Sequence, residues 1–199
     1  FYPMEYSKLT LEMTSPDYIE YFYSLTADKK KQILSNQSML FKGINFSLIN
    51  AIYDELYLQQ LSASPSSTGL FSNSELTRIS TIDNSKLELE FNHLELEKPF
   101  NHISEGIILA TGYSHIVPNF IYPITDRIQW NADKRYQVNK NYSINSSETI
   151  FVQNAEMHSH GFNAPDLGMG PYRNAVILNC ILGYKRYQME NQICFQTFG

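Results

Sequence analysis

The sequence predicts an α/β protein, and three observations carry that expectation. Apolar spacings of three and four fill residues 15–61, short β-rich segments follow between 76 and 110, and a strand, a glycine-rich loop and a helix close the chain. Helices, then a small β layer, then a strand feeding a helix is an α/β order.

Ser15-Pro16-Asp17 opens the first helix, expected from Ser15 to Leu34. The serine suits the cap, the proline the first turn, and the aspartate the positive end of the helix dipole. Tyr18, Ile19, Phe22 and Leu25 supply its apolar stripe. A second helix is expected from about Phe46 to Leu61, with Leu48, Ile49, Ile52, Tyr53, Leu56 and Tyr57 on one face. The stretch SASPSSTG, 62–69, breaks the pattern. Strands are then expected at Leu76–Ile82, Lys86–Asn92 and Gly106–Ala110. In KLELEFNH apolar and polar residues alternate, as in a half-buried strand. The unbroken Ile107-Ile108-Leu109-Ala110 run suits a covered strand of a parallel or mixed sheet. Residues 114–147 show no long element. A last strand, Thr149–Gln153, leads through a loop into a helix from about Pro171 to Leu182, closed by Gly183.

Composition narrows the function classes. Hydrophobic residues make up 43% and charged residues 18%, with 14 Tyr and 12 Phe, as suits a globular protein with aromatic walls. The net charge of −5 and the lack of a basic block speak against nucleic acid as a partner. Apolar runs are too short for a membrane helix, and no membrane partner is expected. Phe1 stands where an initiator Met would, and no signal-peptide order follows, so a cytoplasmic chain starting partway through a longer product is expected. Cys180 and Cys194 fit neither a disulfide framework nor a zinc site; Cys180 reads as a buried helical thiol.

Residues 153–174 are richest in chemistry. Gly161, Gly168 and Gly170 lie between a strand end and a helix start, where backbone can approach a flat ligand and free N–H groups carry partial positive charge. The same arrangement also makes an ordinary strand-to-helix connection. His158 and His160 flank Ser159 near Glu156, but no third or fourth ligand follows at a metal spacing; hydrogen-bonding loop histidines are expected, and no metal. Asp166 reads either as a catalytic carboxylate or as one satisfied by nearby N–H groups. His93, His102 and His115 are isolated. No GxSxG, P-loop, CxxC, kinase or GxGxxG motif occurs.

The pieces LEMTSPDYIEYFYSL, LFKGINFSLINAIYDELY, IILATGY and NAEMHSHGFNAPDLGMGPYRNAVILNCILG span nearly the whole chain. In content and order they resemble the lysine/ornithine/diamine N-monooxygenases, flavoproteins that make hydroxylamines for hydroxamate siderophores. ATGY is common among flavoproteins; the HG-x₄-DLG…RN-x-x-ILN-x-x-LG block is the specific part. The resemblance implies the C-terminal half of a two-dinucleotide-binding-domain (Rossmann-like) flavoprotein monooxygenase, with FAD and NADPH as cofactors and an amine and O₂ as substrates. Residues 1–109 would be the later part of the NADPH-binding domain and 110–199 the last segment of the FAD/substrate domain. The family's two glycine-rich fingerprints are absent, so the missing N-terminal half is an implied partner, the chain alone is expected to be inactive, and a homo-oligomer is possible.

By the same resemblance, Pro165, Asp166 and Leu167 fall where relatives touch the flavin, and Leu40, Phe41 and Lys42 where they touch NADPH. Leu11, Glu12, Met13 and Thr14 match a substrate-contacting stretch, and Gly168 stands where many relatives use Ser to hold substrate. No catalytic side chain is assigned. Ornithine hydroxylases usually carry Asn at the positions of Leu11 and Leu40. Leucine cannot donate to a carboxylate, which favours cadaverine, putrescine or histamine over ornithine, with lysine still open. Two other readings remain: a flavin-dependent reductase or disulfide-reductase relative, disfavoured by the lack of a redox Cys pair, and a non-catalytic structural fragment.

Overall fold

A computed structural model describes residues 3–4, 7–62, 68–83, 85–112, 115–190 and 192–199, and leaves the side chains of 3, 4, 41 and 42 undescribed. The Ser/Pro stretch therefore lies largely outside the described residues. The chain divides into two compact units, Phe1–Tyr53 with His115–Gly199, and Asp54–Ser114.

The first unit begins with a two-residue strand, β1 (Pro3–Met4), and a one-turn helix, α1 (Lys8–Leu11), capped by Ser7 Oγ. The next helix, α2 (Pro16–Ser24), starts as expected: Ser15 Oγ accepts the Tyr18 N–H at 3.2 Å, Pro16 sits in the first turn and Asp17 follows. It buries Tyr18, Ile19 and Phe22. Continuation to Leu34 is not observed. Leu25 turns extended, and a separate helix, α3 (Ala27–Asn36), restarts after Thr26. The break lets Leu25, Ile33 and Leu34 all reach the cluster of Tyr18, Phe22 and Phe162. A short helix, α4 (Met39–Lys42), and β2 (Ile44–Asn45), parallel to β1, lead into α5 (Phe46–Leu61). The bounds of α5 match the apolar period, yet none of its residues is fully buried.

The second unit is an antiparallel sheet in the order β3 (Ser74–Asp83), β4 (Lys86–His93), β5 (Lys98–Ser104). Phe91 stacks on its register partner Phe100 with ring centroids 5.2 Å apart. Lys98–Ser104 was not expected to be a strand. Conversely, Gly106–Ala110 forms none: Ile108 is 94% exposed, and no described strand pairs with this run. A run apolar on both faces needs covering neighbours to gain from being extended.

Back in the first unit, a kinked 3-10 stretch, Asn119–Arg127, packs beside a second cluster of Ile128, Tyr136, Val138 and Ile144. The expected strand Thr149–Gln153 is reduced to one bridge, Ser143↔Phe151. Its physical cause is Asn145, whose Oδ1 takes the N–H groups of Thr149 and Ile150 that a ladder would use. A one-turn helix, α6 (Met157–His160), precedes the final helix, α7 (Gly170–Leu182). Gly183, at φ 71°, ends α7 in the left-handed cap that glycine adopts without strain. Among the described residues no helix is long and apolar enough to cross a membrane.

Candidate functional site

Two stretches far apart in sequence meet in the first unit. Leu11–Thr14 unwinds from the end of α1, with Met13 and Thr14 N–H returned to Thr10 and Leu11 carbonyls. Residues 161–169 join α6 to α7. Gly161 takes φ 99°, a backbone conformation that residues with a side chain rarely adopt, and so lets the chain turn against the Phe22 and Tyr18 rings of α2. That turn places Phe162 in the aromatic cluster and Asn163 against the first stretch. Asn163 Nδ2 donates to the Met13 carbonyl at 3.2 Å.

The loop is gripped from α7. Arg173, 3% exposed, donates from Nη1 to Asn163 O at 3.2 Å and from Nη2 to Asp166 O at 3.0 Å. Its Nε lies 3.8 Å from Glu156 Oε1, an ion pair with both partners buried. Glu156 Oε2 accepts the Ala155 N–H. Burial pushes the Glu156 carboxyl above the usual range, and backbone N–H groups together with Arg173 draw it back. Beyond this buried frame the loop opens to solvent. Leu167 is 86% exposed, and Pro165, Asp166 and Gly168 are exposed as well. Asp166 Oδ1 caps the 3-10 turn Leu167–Met169 by accepting the Gly168 N–H at 2.6 Å. A Cβ on Gly168 would come within 2.9 Å of that oxygen, so the missing side chain leaves room for the aspartate cap.

The other expected site residues divide. Leu11 is 50% exposed, and Met13 lines an open cavity of about 400 Å³ with Tyr18, Tyr21, Ile33, Gln37, Thr197 and Phe198. The Glu12 carboxylate accepts the Phe195 and Gln196 N–H groups, each at 3.0 Å, and these hold it below the ordinary carboxylate range. Leu40 packs on the aromatic cluster from α4; the side chains of Phe41 and Lys42 lie outside the described residues.

The histidines serve the frame. His160 stacks on Tyr142 with centroids 4.4 Å apart, and its Nδ1 lies 2.8 Å from Ser159 Oγ. Burial lowers its pKa to about 4, leaving a neutral ring at pH 7. His158 Nε2 sits 2.9 Å from Tyr136 O and is also lowered by burial. Among the described residues no three His, Cys, Asp or Glu converge as metal ligands. Cys180 and Cys194 are free and half-buried. Sequence reasoning missed the linking roles of Asn163, Glu156 and Arg173; Arg173 stood out only as a letter of the terminal block.

Comparison with known proteins adds the wider frame. A family model described as L-lysine 6-monooxygenase/L-ornithine 5-monooxygenase matches residues 1–115. The putrescine N-hydroxylase of Shewanella oneidensis is 46% identical over 199 residues, 100% of this chain and 40% of that protein. The alcaligin biosynthesis enzyme of Bordetella pertussis is 45% identical over 202 residues, 100% of this chain and 43% of that protein. The crystal structure of FAD-bound DfoA, described as the cadaverine monooxygenase of desferrioxamine biosynthesis from Erwinia amylovora, superposes with a TM-score of 0.89 at 49% identity. It covers 100% of this chain and 46% of that one. The chain thus spans less than half the length of these relatives, and the matched portion is their C-terminal part. The α/β fold is that of the corresponding portion of a flavin-dependent N-hydroxylating monooxygenase.

Proposed function

Because the chain belongs to the L-lysine 6-monooxygenase/L-ornithine 5-monooxygenase family, we propose that it forms the C-terminal portion of an FAD- and NADPH-dependent amine N-hydroxylase of hydroxamate siderophore biosynthesis. In this reading residues 1–109 complete the NADPH-binding domain and 110–199 the FAD/substrate domain, and further family sequence supplies the two glycine-rich fingerprints.

FAD, reduced by NADPH, would supply oxygen from O₂ in a form that a neutral amine can attack. The chain's own residues suit such a ring. Pro165, Asp166 and Leu167 offer an exposed, partly apolar edge at the start of a 13-residue helix. The positive end of that helix's dipole favours an anionic ligand. The substrate nitrogen must be the free base, although an alkylamine has a solution pKa near ~10.4. Removal from water favours that form. The Leu167 carbonyl, which already accepts the Gly170 N–H, keeps a second lone pair for the amine hydrogen.

The preferred substrate in this reading is a primary amine without a carboxylate, a diamine such as putrescine or cadaverine, or histamine. The observation that carries the choice is that half-exposed Leu11 and side-chain-free Gly168 offer no side-chain donor to a carboxylate, and the Gly168 N–H is already taken by Asp166. Desolvating a carboxylate without a partner costs several kcal/mol, and each ~1.4 kcal/mol is a tenfold preference. Glu12 offers an ornithine carboxylate only like charge, and its oxygens are already engaged. The relatives from Shewanella oneidensis and Erwinia amylovora, described by putrescine and cadaverine, support the same choice. The test measures hydroxylamine formed by a protein of full family length with putrescine, cadaverine, histamine, lysine and ornithine at equal concentration. A diamine or histamine is expected to be turned over fastest; fastest turnover on ornithine overturns the substrate reading.

A further inference from the structure

The link between the two stretches is built at a cost that packing alone does not explain. Asn163 is 1% exposed, yet its side chain makes a single hydrogen bond, to Met13 O, and its Oδ1 has no partner among the described residues. A leucine, with the same branching and heavy-atom count, would place apolar atoms there without burying a half-satisfied amide. Arg173 is equally unsuited to a purely packing role. It is buried, its Nε has no hydrogen-bond partner, and its ion pair with Glu156 is long. Its Nη1 and Nη2 instead hold the carbonyls of Asn163 and Asp166, three residues apart on one loop, and Nη2 also reaches Asn154 Oδ1 at 3.5 Å. The same Asn163 carbonyl accepts the Asp166 N–H at 3.0 Å. A continuous path therefore runs from α7 through Arg173 to the Asn163 main chain, and through the Asn163 side chain to Met13, 150 residues away in sequence.

We propose that Asn163 and Arg173 are positioning residues that fix Leu11–Thr14 against Pro165–Gly168, so that an amine held by the first stretch stays aligned with a flavin resting on the second. This rests on the N-hydroxylase reading above and names what sets its geometry. Neither side chain touches substrate or cofactor in this role; both act through the main chain of the residues that do. Alignment matters because a misplaced amine leaves the activated oxygen to decay as hydrogen peroxide. Displacements of about 1 Å cost on the order of a hundredfold in a positioned reaction.

The test uses protein of full family length carrying Asn163→Leu or Arg173→Lys. The first keeps the branching and heavy-atom count of the side chain and removes the donation to Met13 O; the second keeps charge beside Glu156 and removes the fork. The readouts are hydroxylamine formed per NADPH oxidised, and hydrogen exchange at residues 11–14 and 163–168. We expect coupling to fall about tenfold in both variants while flavin reduction by NADPH changes less than about twofold. A merely destabilised protein would lose both rates in proportion. Exchange should quicken in both stretches together, although each substitution lies in only one of them or outside both. Coupling that stays at the wild-type ratio, or exchange that quickens only at 163–168, overturns the proposal. If wild-type protein forms no hydroxylamine, the N-hydroxylase reading fails separately, and the exchange result still decides whether the two stretches are linked.

Discussion

The two units of the chain spend similar apolar sequence in opposite ways. In the unit of residues 1–53 and 115–199, α2 sinks Tyr18, Ile19 and Phe22 into an aromatic cluster, and a polar network of Glu156, Arg173, Asn163 and His160 is buried beside it. In the unit of 54–114, Leu89 is the single fully buried apolar side chain among the described residues, although β3, β4 and β5 form a regular sheet. In the part of α5 that belongs to this unit, Tyr57, Leu58 and Leu61 stay more than half exposed. Regular secondary structure and a filled core are thus separate achievements, and stability should concentrate in the first unit.

The largest test of that contrast compares two aromatic truncations. Phe22→Ala, at a fully buried ring of the first unit, should cost about 3–5 kcal/mol in denaturant unfolding, whereas Tyr57→Ala, in the second, should stay within about 0.5 kcal/mol. Equal losses would mean that α5 is anchored in a core as firmly as α2.

Acid provides the next test, because the first unit holds a buried histidine. His160 has a native pKa of about 4 against about 6.5 unfolded, so the unfolded state binds more protons between those values. Stability from the neutral ring is present above pH ~6.5 and lost as pH falls toward 4, by up to about 3 kcal/mol. The raised pKa of Glu156 acts in the opposite direction, so the measurement is the difference between wild type and His160→Phe across that range. A difference that does not change with pH would show that the ring is hydrated in solution.

The smallest effect sharpens the comparison at a helix start. Ser15→Ala removes a buried cap on α2 and should cost about 1 kcal/mol, while Ser35→Ala, exposed in α3, should change stability by less than half as much. Matching melting curves for the two variants would deny the cap its role.

What the sequence made legible was local. The Ser15 cap, the bounds of α5 and the Gly183 terminus each depend on residues within one or two turns, and each appears as read. The failures have distant or competing partners. Thr149 and Ile150 look like strand residues until the Asn145 side chain takes their N–H groups. Ile107–Ala110 reads as a covered strand because its sequence cannot say which neighbours are present. At the candidate site, the terminal block singles out Leu167 and Gly168, and both are exposed in the loop before α7. Asn163 and Arg173 were not singled out, because what they hold is backbone oxygen up to 150 residues away, which leaves no residue-type signature.

Arg173 grips the 163–166 loop by its main-chain carbonyls and not by the loop's side chains, which has a consequence for change over time. Ala164, Pro165 and Asp166 can be exchanged for other residues without removing an atom that Arg173 holds. The loop can therefore diversify its chemistry while its path is preserved by a residue outside it. Ala164 is buried and the Asp166 side chain caps the next turn, so the exposed Pro165 is the position where a randomised library best keeps the scaffold.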